Sequence, residues 1–226
     1  VSVGLAGGAG GDGARDGLAR LGGTAESAFV SAVGGTTTLR RVTISGVERG
    51  TAVSALGRIS PDARVVAEDL VIGGVAGTIA VLATDGATIE LTRALVADVG
   101  GTAIQGESGN LTLRDVTVRA TRIEGLFGDA VAARGGTTAI ERLAAEPARY
   151  GLILLDGASC IVEDLQIEGG RGVGVQCAPD AGCSDAAPML VLDRARIHAV
   201  SRFGVAVVAA RAEPRTLSSL STSRPR

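Results

Sequence analysis

The sequence predicts an all-β solenoid of about seven coils, each built from three short strands. The first observation is a six-residue pattern, Leu39-Arg-Arg-Val-Thr-Ile44, with apolar residues in its first, fourth and sixth positions. The second is a Gly followed by a short apolar burst, such as Gly50-Thr-Ala-Val53, which begins 10 to 15 residues after the start of each six-residue copy. The six-residue pattern occurs at 39–44, 67–72, 91–96, 113–118, 140–145, 162–167 and 192–197. Ordered repetition with this period is typical of stacked-repeat folds.

The composition is consistent with an aliphatic core. Apolar residues make up 46% of the chain and aromatic residues only 2%, while Gly contributes 34 of 226 residues, about twice its ordinary share. The net charge is −2, which argues against the basic patch that a nucleic-acid binder needs. No run approaches the roughly 18 apolar residues of a transmembrane helix, so no membrane span is predicted.

Each coil is predicted to contain three strands in a set order. The Gly-x-apolar burst forms the first strand, and the second strand ends at the column of Leu39. The third strand carries the columns of Val42 and Ile44. Residues 39 and 42 would face opposite sides of a straight strand, so a two-residue corner between them is needed to return both to the interior. One coil cannot bury its own apolar face, but stacked coils can.

The predicted interior of the first strand is one apolar residue per coil. The sequence aligns this column as Val53, Ala80, Ile104, Val131, Leu154, Val175 and Val207. Neither of the two columns assigned to the outer side of this strand contains Asp, Glu, Arg or His.

This arrangement resembles the right-handed parallel β-helix of the pectate-lyase-like superfamily, over about residues 34–213. A leucine-rich repeat fits less well because its LxxLxLxxN phrase is missing. Residues 1–33 are predicted to be irregular and to hold a partial first coil, with a distorted coil or a short capping helix at 13–21 both open. Residues 214–226 are predicted to be a disordered tail or linker.

A column of alternating charge is predicted at the corner before the third strand. Strands of neighbouring coils lie ~4.8 Å apart, so each Arg would stand between two Asp residues. The interpretation favoured is an ion-pair ladder that sets the coil register; a charged binding stripe is the alternative. The seven residues are Arg41, Asp69, Arg93, Asp115, Arg142, Asp164 and Arg194.

Catalytic motifs are sparse. The resemblance implies carboxylates, calcium ligands and a basic residue on the outer face of the first strand and its flanking loops. The Asp pair, Gly-His-Gly and Arg-x-Lys of the polygalacturonase family are absent, and the chain has no Trp and a single Tyr. The weak candidates for acid–base chemistry or a calcium site are Glu124 and Asp129, with Arg122 and Arg149 nearby. A solvated loop is the alternative.

Three cysteines bear on the location of the protein. Cys160 falls in an interior column and is predicted to be a buried free thiol. Cys177 and Cys183 bracket a turn-rich insertion, and five intervening residues allow the Cα separation of a disulfide. That bond would imply an oxidising compartment; two reduced surface thiols are the alternative.

The sequence therefore leans towards a non-catalytic, secreted or cell-surface β-helix that acts as a scaffold or binding domain. The partner class is expected to be a polysaccharide or a cell-envelope component, with no nucleic acid and no cofactor other than a calcium ion. The alternative is a polysaccharide lyase or glycoside hydrolase on the same fold, truncated or degenerate, because the fold does not determine activity.

Overall fold

A computed structural model describes residues 5–7, 13–23, 28–122, 128–177, 187–207 and 211–222. These residues form 18 β-strands, with no helix among them, in two nine-stranded parallel sheets. The first sheet holds the short strands β1 Leu5–Gly7, β3 Ala28–Ala32, β5 Thr51–Leu56, β7 Ile79–Thr84, β9 Thr102–Glu107, β11 Val131–Arg134, β13 Leu152–Leu155, β15 Val175–Cys177 and β17 Val205–Val207. The second holds the long strands β2 Gly13–Gly23, β4 Thr36–Val47, β6 Arg64–Val75, β8 Thr88–Val99, β10 Asn110–Thr121, β12 Thr137–Ala145, β14 Ser159–Glu168, β16 Met189–Val200 and β18 Arg211–Thr222.

The chain alternates between the two sheets and thereby forms a parallel β-solenoid of about 6 turns. Each strand pairs with its counterpart one coil away, as β4 does with β6 and β5 with β7. The all-β solenoid predicted from the repeats is confirmed, although the coil count differs slightly from the predicted seven. Within the described residues, no helix has the length and apolarity that a membrane span requires.

The long strands bend at the corner that the repeat spacing predicted. Arg41, Asp69, Arg93 and Asp115 have left-handed backbones, with φ between 53° and 54°, and the pairing of β4 with β6 skips this position. The bend separates the second strand of the coil from the third, so that Leu39 and Val42 are both buried. A left-handed conformation is costly for a side chain other than Gly, and the packed coils on either side hold it in place.

The interior is filled by aliphatic columns from both sheets. Leu39, Val42 and Ile44 and their counterparts in later coils are buried. Cys160 belongs to this core as a fully buried free thiol, as the sequence predicted. Burial raises the pKa of that thiol, so it behaves as a small apolar residue.

The register of the short strands differs from the sequence alignment in three coils. The structure pairs Val53 with Val81, Val131 with Leu152, and Val175 with Val205. The alignment had placed Ala80, Leu154 and Val207 at those positions, and this assignment was wrong. The short strands are bounded by turns of varying length, so a residue count from the six-residue pattern does not determine their register.

Strands also occur near the two ends of the chain. Residues 1–33 contribute β1, β2 and β3, and β2 pairs with β4 with register shifts. Of the two alternatives for residues 13–21, the structure shows a strand. At the other end, β18 begins before residue 214, continues to Thr222 and pairs with β16.

Candidate functional site

The outer face of the short strands has a central column without ionisable side chains. The pairing of β5 to β17 places one residue of each strand in this column, on the side opposite the core-facing column. Its members are Ser54, Leu82, Gln105, Ala132, Ile153, Gln176 and Ala206. Ser54 and Ile153 are buried, so the middle of this face offers hydrogen bonds from two Gln side chains and small or apolar contacts from Leu82, Ala132 and Ala206.

A charged group that the sequence analysis did not identify lies at the carboxyl end of the short strands. Arg134 pairs in register with Glu107, and its Nε lies 3.6 Å from Oδ2 of Asp156. Gln105 Nε2 donates to Glu107 Oε1 at 2.8 Å. Asp156 occupies a turn with φ 49°, outside both repeated patterns. Comparing the residues that follow each first strand would have revealed this group.

A second charged group lies at the amino end of β11. Asp129 is only 4% exposed, and Arg149 Nε donates to its Oδ1 at 3.0 Å. The Arg149 guanidinium carbon stands 4.4 Å from the centre of the Tyr150 ring, a cation–π contact. The structure thus unites two of the four residues that the sequence proposed for chemistry.

The backbone around Asp129 is held by neighbouring coils. Thr121 Oγ1 donates to the Gly128 carbonyl at 3.0 Å and accepts from the Ala148 amide at 2.7 Å. The Ala103 amide donates to the carbonyl of Asp129 at 2.9 Å. The Thr102 hydroxyl is buried without a hydrogen-bond partner; it is near enough to Asp129 to lower the carboxyl pKa a little, but its geometry falls short of a hydrogen bond.

Asp129 has an unusual protonation equilibrium. Burial raises the pKa of its carboxyl to about 6, although Arg149 and the Tyr150 amide act in the opposite direction. The effect of desolvation is the larger one because the carboxyl of Asp129 is almost completely buried. A carboxyl that titrates near 6 can both give and take a proton close to neutral pH.

The other two candidates are not brought into this group. Arg122 forms an ion pair with Asp98 on the exposed surface. Glu124 falls outside the residues that the structure describes.

The two charged groups are too far apart to act on one bond. Asp129 is level with Thr102 in the coil before it, and Glu107 lies five residues further along that strand. At ~3.3 Å per residue this separation is roughly 16 Å, whereas the carboxyl pairs of glycoside hydrolases are ~5 to 9.5 Å apart. Among the described residues, no three or more His, Cys, Asp or Glu side chains form a group suited to a metal ion.

The charged column at the corner forms alternating ion pairs between coils. Arg93 Nε and Nη2 donate to the two carboxylate oxygens of Asp69 at 2.7 and 3.1 Å. Arg194 binds Asp164 in the same way, with Nε 2.6 Å from Oδ1 and Nη2 2.8 Å from Oδ2. Arg142 also donates two hydrogen bonds to Asp115, with Nη2 2.9 Å from Oδ2.

Arg93, Arg142 and Arg194 therefore each bind the Asp of the preceding coil through both Nε and Nη2. Hydrogen bonds from Arg93, Arg142 and Arg194 hold the pKa values of Asp69, Asp115 and Asp164 below their ordinary value. The Asp of the next coil receives only the longer-range attraction, because the remaining donors of Arg93 and Arg142 bond Glu68 and Glu141 instead. The column is thus a series of pairs.

We expect Asp115→Arg to lower the thermal unfolding midpoint at low salt, because the introduced guanidinium would face both Arg93 and Arg142. The shift should shrink in 1 M salt, where charges are screened within ~3 Å. Asp115→Arg combined with Arg142→Asp should recover part of the loss by restoring that pair. Asp62→Arg, an exposed reversal outside the column, is the control. Equal midpoints for Asp115→Arg and wild type at low salt would show that the column does not stabilise the fold.

Cys177, one half of the predicted disulfide, is a buried thiol. Its Sγ lies 3.8 Å from the Pro188 carbonyl oxygen, and burial raises the thiol pKa to about 11. A protonated thiol is slow to oxidise. Cys183, the predicted partner, falls outside the described residues.

The chain matches no protein-family model, no curated protein and no solved structure. What it does is therefore inferred from its own residues and geometry.

Proposed function

We propose that this chain is a right-handed parallel β-helix of the pectate-lyase-like type that serves as a non-catalytic binding scaffold at the cell surface or outside the cell. The observation that carries this proposal is the outer face of the short strands, whose central column has no ionisable side chain from Ser54 to Ala206. General acid–base catalysis needs a titratable group within hydrogen-bond reach of the reacting atoms. This face offers contact surface without such a group at its centre.

The ligand class proposed is a polysaccharide or a cell-envelope component. Gln105 and Gln176 supply amide donors and acceptors on this face, and shallow polar contacts of this kind suit a repeating polymer. The extracellular location rests on the resemblance alone, and fractionation of the parent cells tests it.

A screen for binding and cleavage tests the scaffold proposal. We expect retention on at least one acidic or neutral polysaccharide, with no rise in reducing or unsaturated ends, with or without calcium. Reproducible cleavage by the full chain would contradict a non-catalytic role, and lack of retention on every polysaccharide and envelope preparation would contradict binding.

Asp129 supports a second candidate, a polysaccharide lyase or glycoside hydrolase. Its raised pKa and its contact with Arg149 are features found at catalytic carboxyls. In that case Asp129→Asn should abolish cleavage, whereas Asp85→Asn, the same change at an exposed turn, should leave it intact. Cleavage that survives Asp129→Asn would remove Asp129 from catalysis.

A further inference from the structure

A groove runs along the outer side of the corner in the later coils, and it is called here the corner groove. One wall is the charged column, from Asp115 through Arg142 and Asp164 to Arg194. The other wall is the first outward-facing column of the third strand. Core residues such as Leu143 form the floor, and their side chains are buried. The groove has a volume of about 530 Å³, within the range of small-molecule sites.

The groove exists because the outward column of the third strand changes from large to small side chains. In-register pairing places Leu95, Thr117, Ala144, Gln166 and Arg196 in this column on successive coils. The last four line the groove, which begins at the coil after Leu95. A Leu side chain therefore closes this space, whereas Thr117 and Ala144 leave it open. The four coils extend over three strand spacings of ~4.8 Å, about 14 Å in all.

The corner wall is electrically neutral because the protein itself uses the donors of its arginines. Arg142 donates from Nε and Nη2 to Asp115 and from Nη1 to Glu141. Arg194 uses the same three nitrogens for two carboxylates of its own. An anion in the groove therefore gains little from this wall.

Arg196, in the last coil of the groove, has donors to spare. It is exposed and forms no ion pair with any residue in the described part of the chain. Its Nε donates to His198 Nε2 at 3.2 Å, which orients the guanidinium and leaves both Nη groups for an external acceptor. Glu168 is level with His198 on the neighbouring strand but does not pair with Arg196.

We propose that the corner groove binds the last residues of an extended peptide, with the terminal carboxylate held by Arg196. The two oxygens of a carboxylate match the paired Nη donors of a guanidinium. At ~3.3 Å per residue, about four residues fill the length of the groove. The carboxamide of Gln166, beside Arg196, both donates to and accepts from a peptide backbone. This site is separate from the short-strand face and does not depend on the ligand proposed there.

The lining of the groove favours a peptide over a glycan or a nucleotide. A sugar unit carries several hydroxyl groups that lose water on binding, and an unpaired polar group is costly to bury. Thr117 and Gln166 are the only uncharged polar side chains among the described residues of the groove. A base would stack on an aromatic ring, and no aromatic side chain in the described lining offers one. A short peptide with one anionic end needs only a few polar partners and a single cation.

The test measures retention of peptides by the immobilised full chain. The probe is a degenerate pool of acetylated tetrapeptides with free carboxyl ends, and the comparison is the same pool with carboxamide ends. We expect mass spectrometry to find at least tenfold more of the acid pool retained, with a preference that weakens as salt rises. Ala144→Leu should lower retention at least tenfold by filling the groove, and Arg196→Gln should remove the preference for the acid pool.

Two matched variants are the controls. Thr43→Leu makes a comparable change in the same column on an early coil, outside the groove. Arg49→Gln removes an exposed cation elsewhere on the early coils. Both should retain the peptides as wild type does. Because Leu95 already occupies the column of Ala144, Ala144→Leu should fold, and its thermal unfolding midpoint checks this. Arg196→Gln, a change on the surface, decides the question if Ala144→Leu unfolds.

Each other result would overturn the proposal. Equal retention of the two pools, or no retention of either, would exclude recognition of a terminal carboxylate. Retention that Ala144→Leu leaves unchanged in a folded protein would place the peptide outside the groove. Retention of tetragalacturonate that Ala144→Leu abolishes would assign the groove to a glycan. Polysaccharide binding by the short-strand face should be the same in Ala144→Leu and wild type, so the two proposals can fail independently.

Discussion

Gly136→Ala is expected to lower the free energy of unfolding by about 3 kcal/mol. Gly136 has φ 66°, and a Cβ built there would overlap the carbonyl oxygen of Gly109 in the coil below. The turn that links each short strand to the next long strand lies flat against the previous turn, so neither backbone can move without disturbing the stack. The amide of Ser159 donates to the Gly136 carbonyl at 3.0 Å, which ties the turn to the coil above as well.

The matched control is Gly46→Ala. Gly46 has nearly the same backbone, φ 69°, but nothing lies within 4 Å of its Cβ position. It should therefore show only the left-handed penalty, about 1 kcal/mol. Urea unfolding of both variants, with unchanged m-values, separates the conformational cost from the steric cost. A loss from Gly136→Ala no greater than that from Gly46→Ala would contradict the close stacking of the turns.

Asp129→Asn is expected to remove a pH dependence worth about 3 kcal/mol from the stability of the protein. The carboxyl pKa is about 6 in the folded chain and ~3.9 in the unfolded chain, and each pKa unit corresponds to ~1.4 kcal/mol. Because the folded pKa is the higher one, the stabilising contribution is present below pH 4 and is lost as the pH rises through about 6.

The quantity to measure is the difference in unfolding free energy between wild type and Asp129→Asn at pH 4, 5, 6 and 7. The ladder residues Asp69, Asp115 and Asp164 have lowered pKa values and lose their stabilising contribution as the pH falls. Because this loss is the same in both proteins, it cancels in the difference, which therefore reports on Asp129. A difference that stays constant from pH 4 to pH 7 would mean that burial does not raise the pKa of Asp129.

The same titration bears on the choice between scaffold and enzyme. A carboxyl near pH 6, held by Arg149 at 3.0 Å, has the equilibrium of a general acid or base. It lies at the amino end of β11, and no second carboxyl lies within a few ångströms of it in the described residues. We therefore expect the titration to be observed without any accompanying cleavage.

The sequence by itself determined the coil. Seven copies of one pattern predicted the stacking, and the odd spacing between Leu39 and Val42 predicted the corner, which the left-handed Arg41 confirms. These features could be predicted because every coil must satisfy the same burial rule, so the same residue types recur at the same place. The burial of Cys160 followed from its column in the same way.

The tertiary structure alone decided which residues meet across coils. Asp129 and Arg149 lie 20 residues apart and pair only because β11 and the next connection are stacked. Arg134 and Asp156 likewise meet at turns that follow no repeated pattern. Connections between strands vary in length and composition, so the sequence carries no periodic signal for them. Their mutual positions depend instead on the backbone hydrogen bonds between one coil and the next.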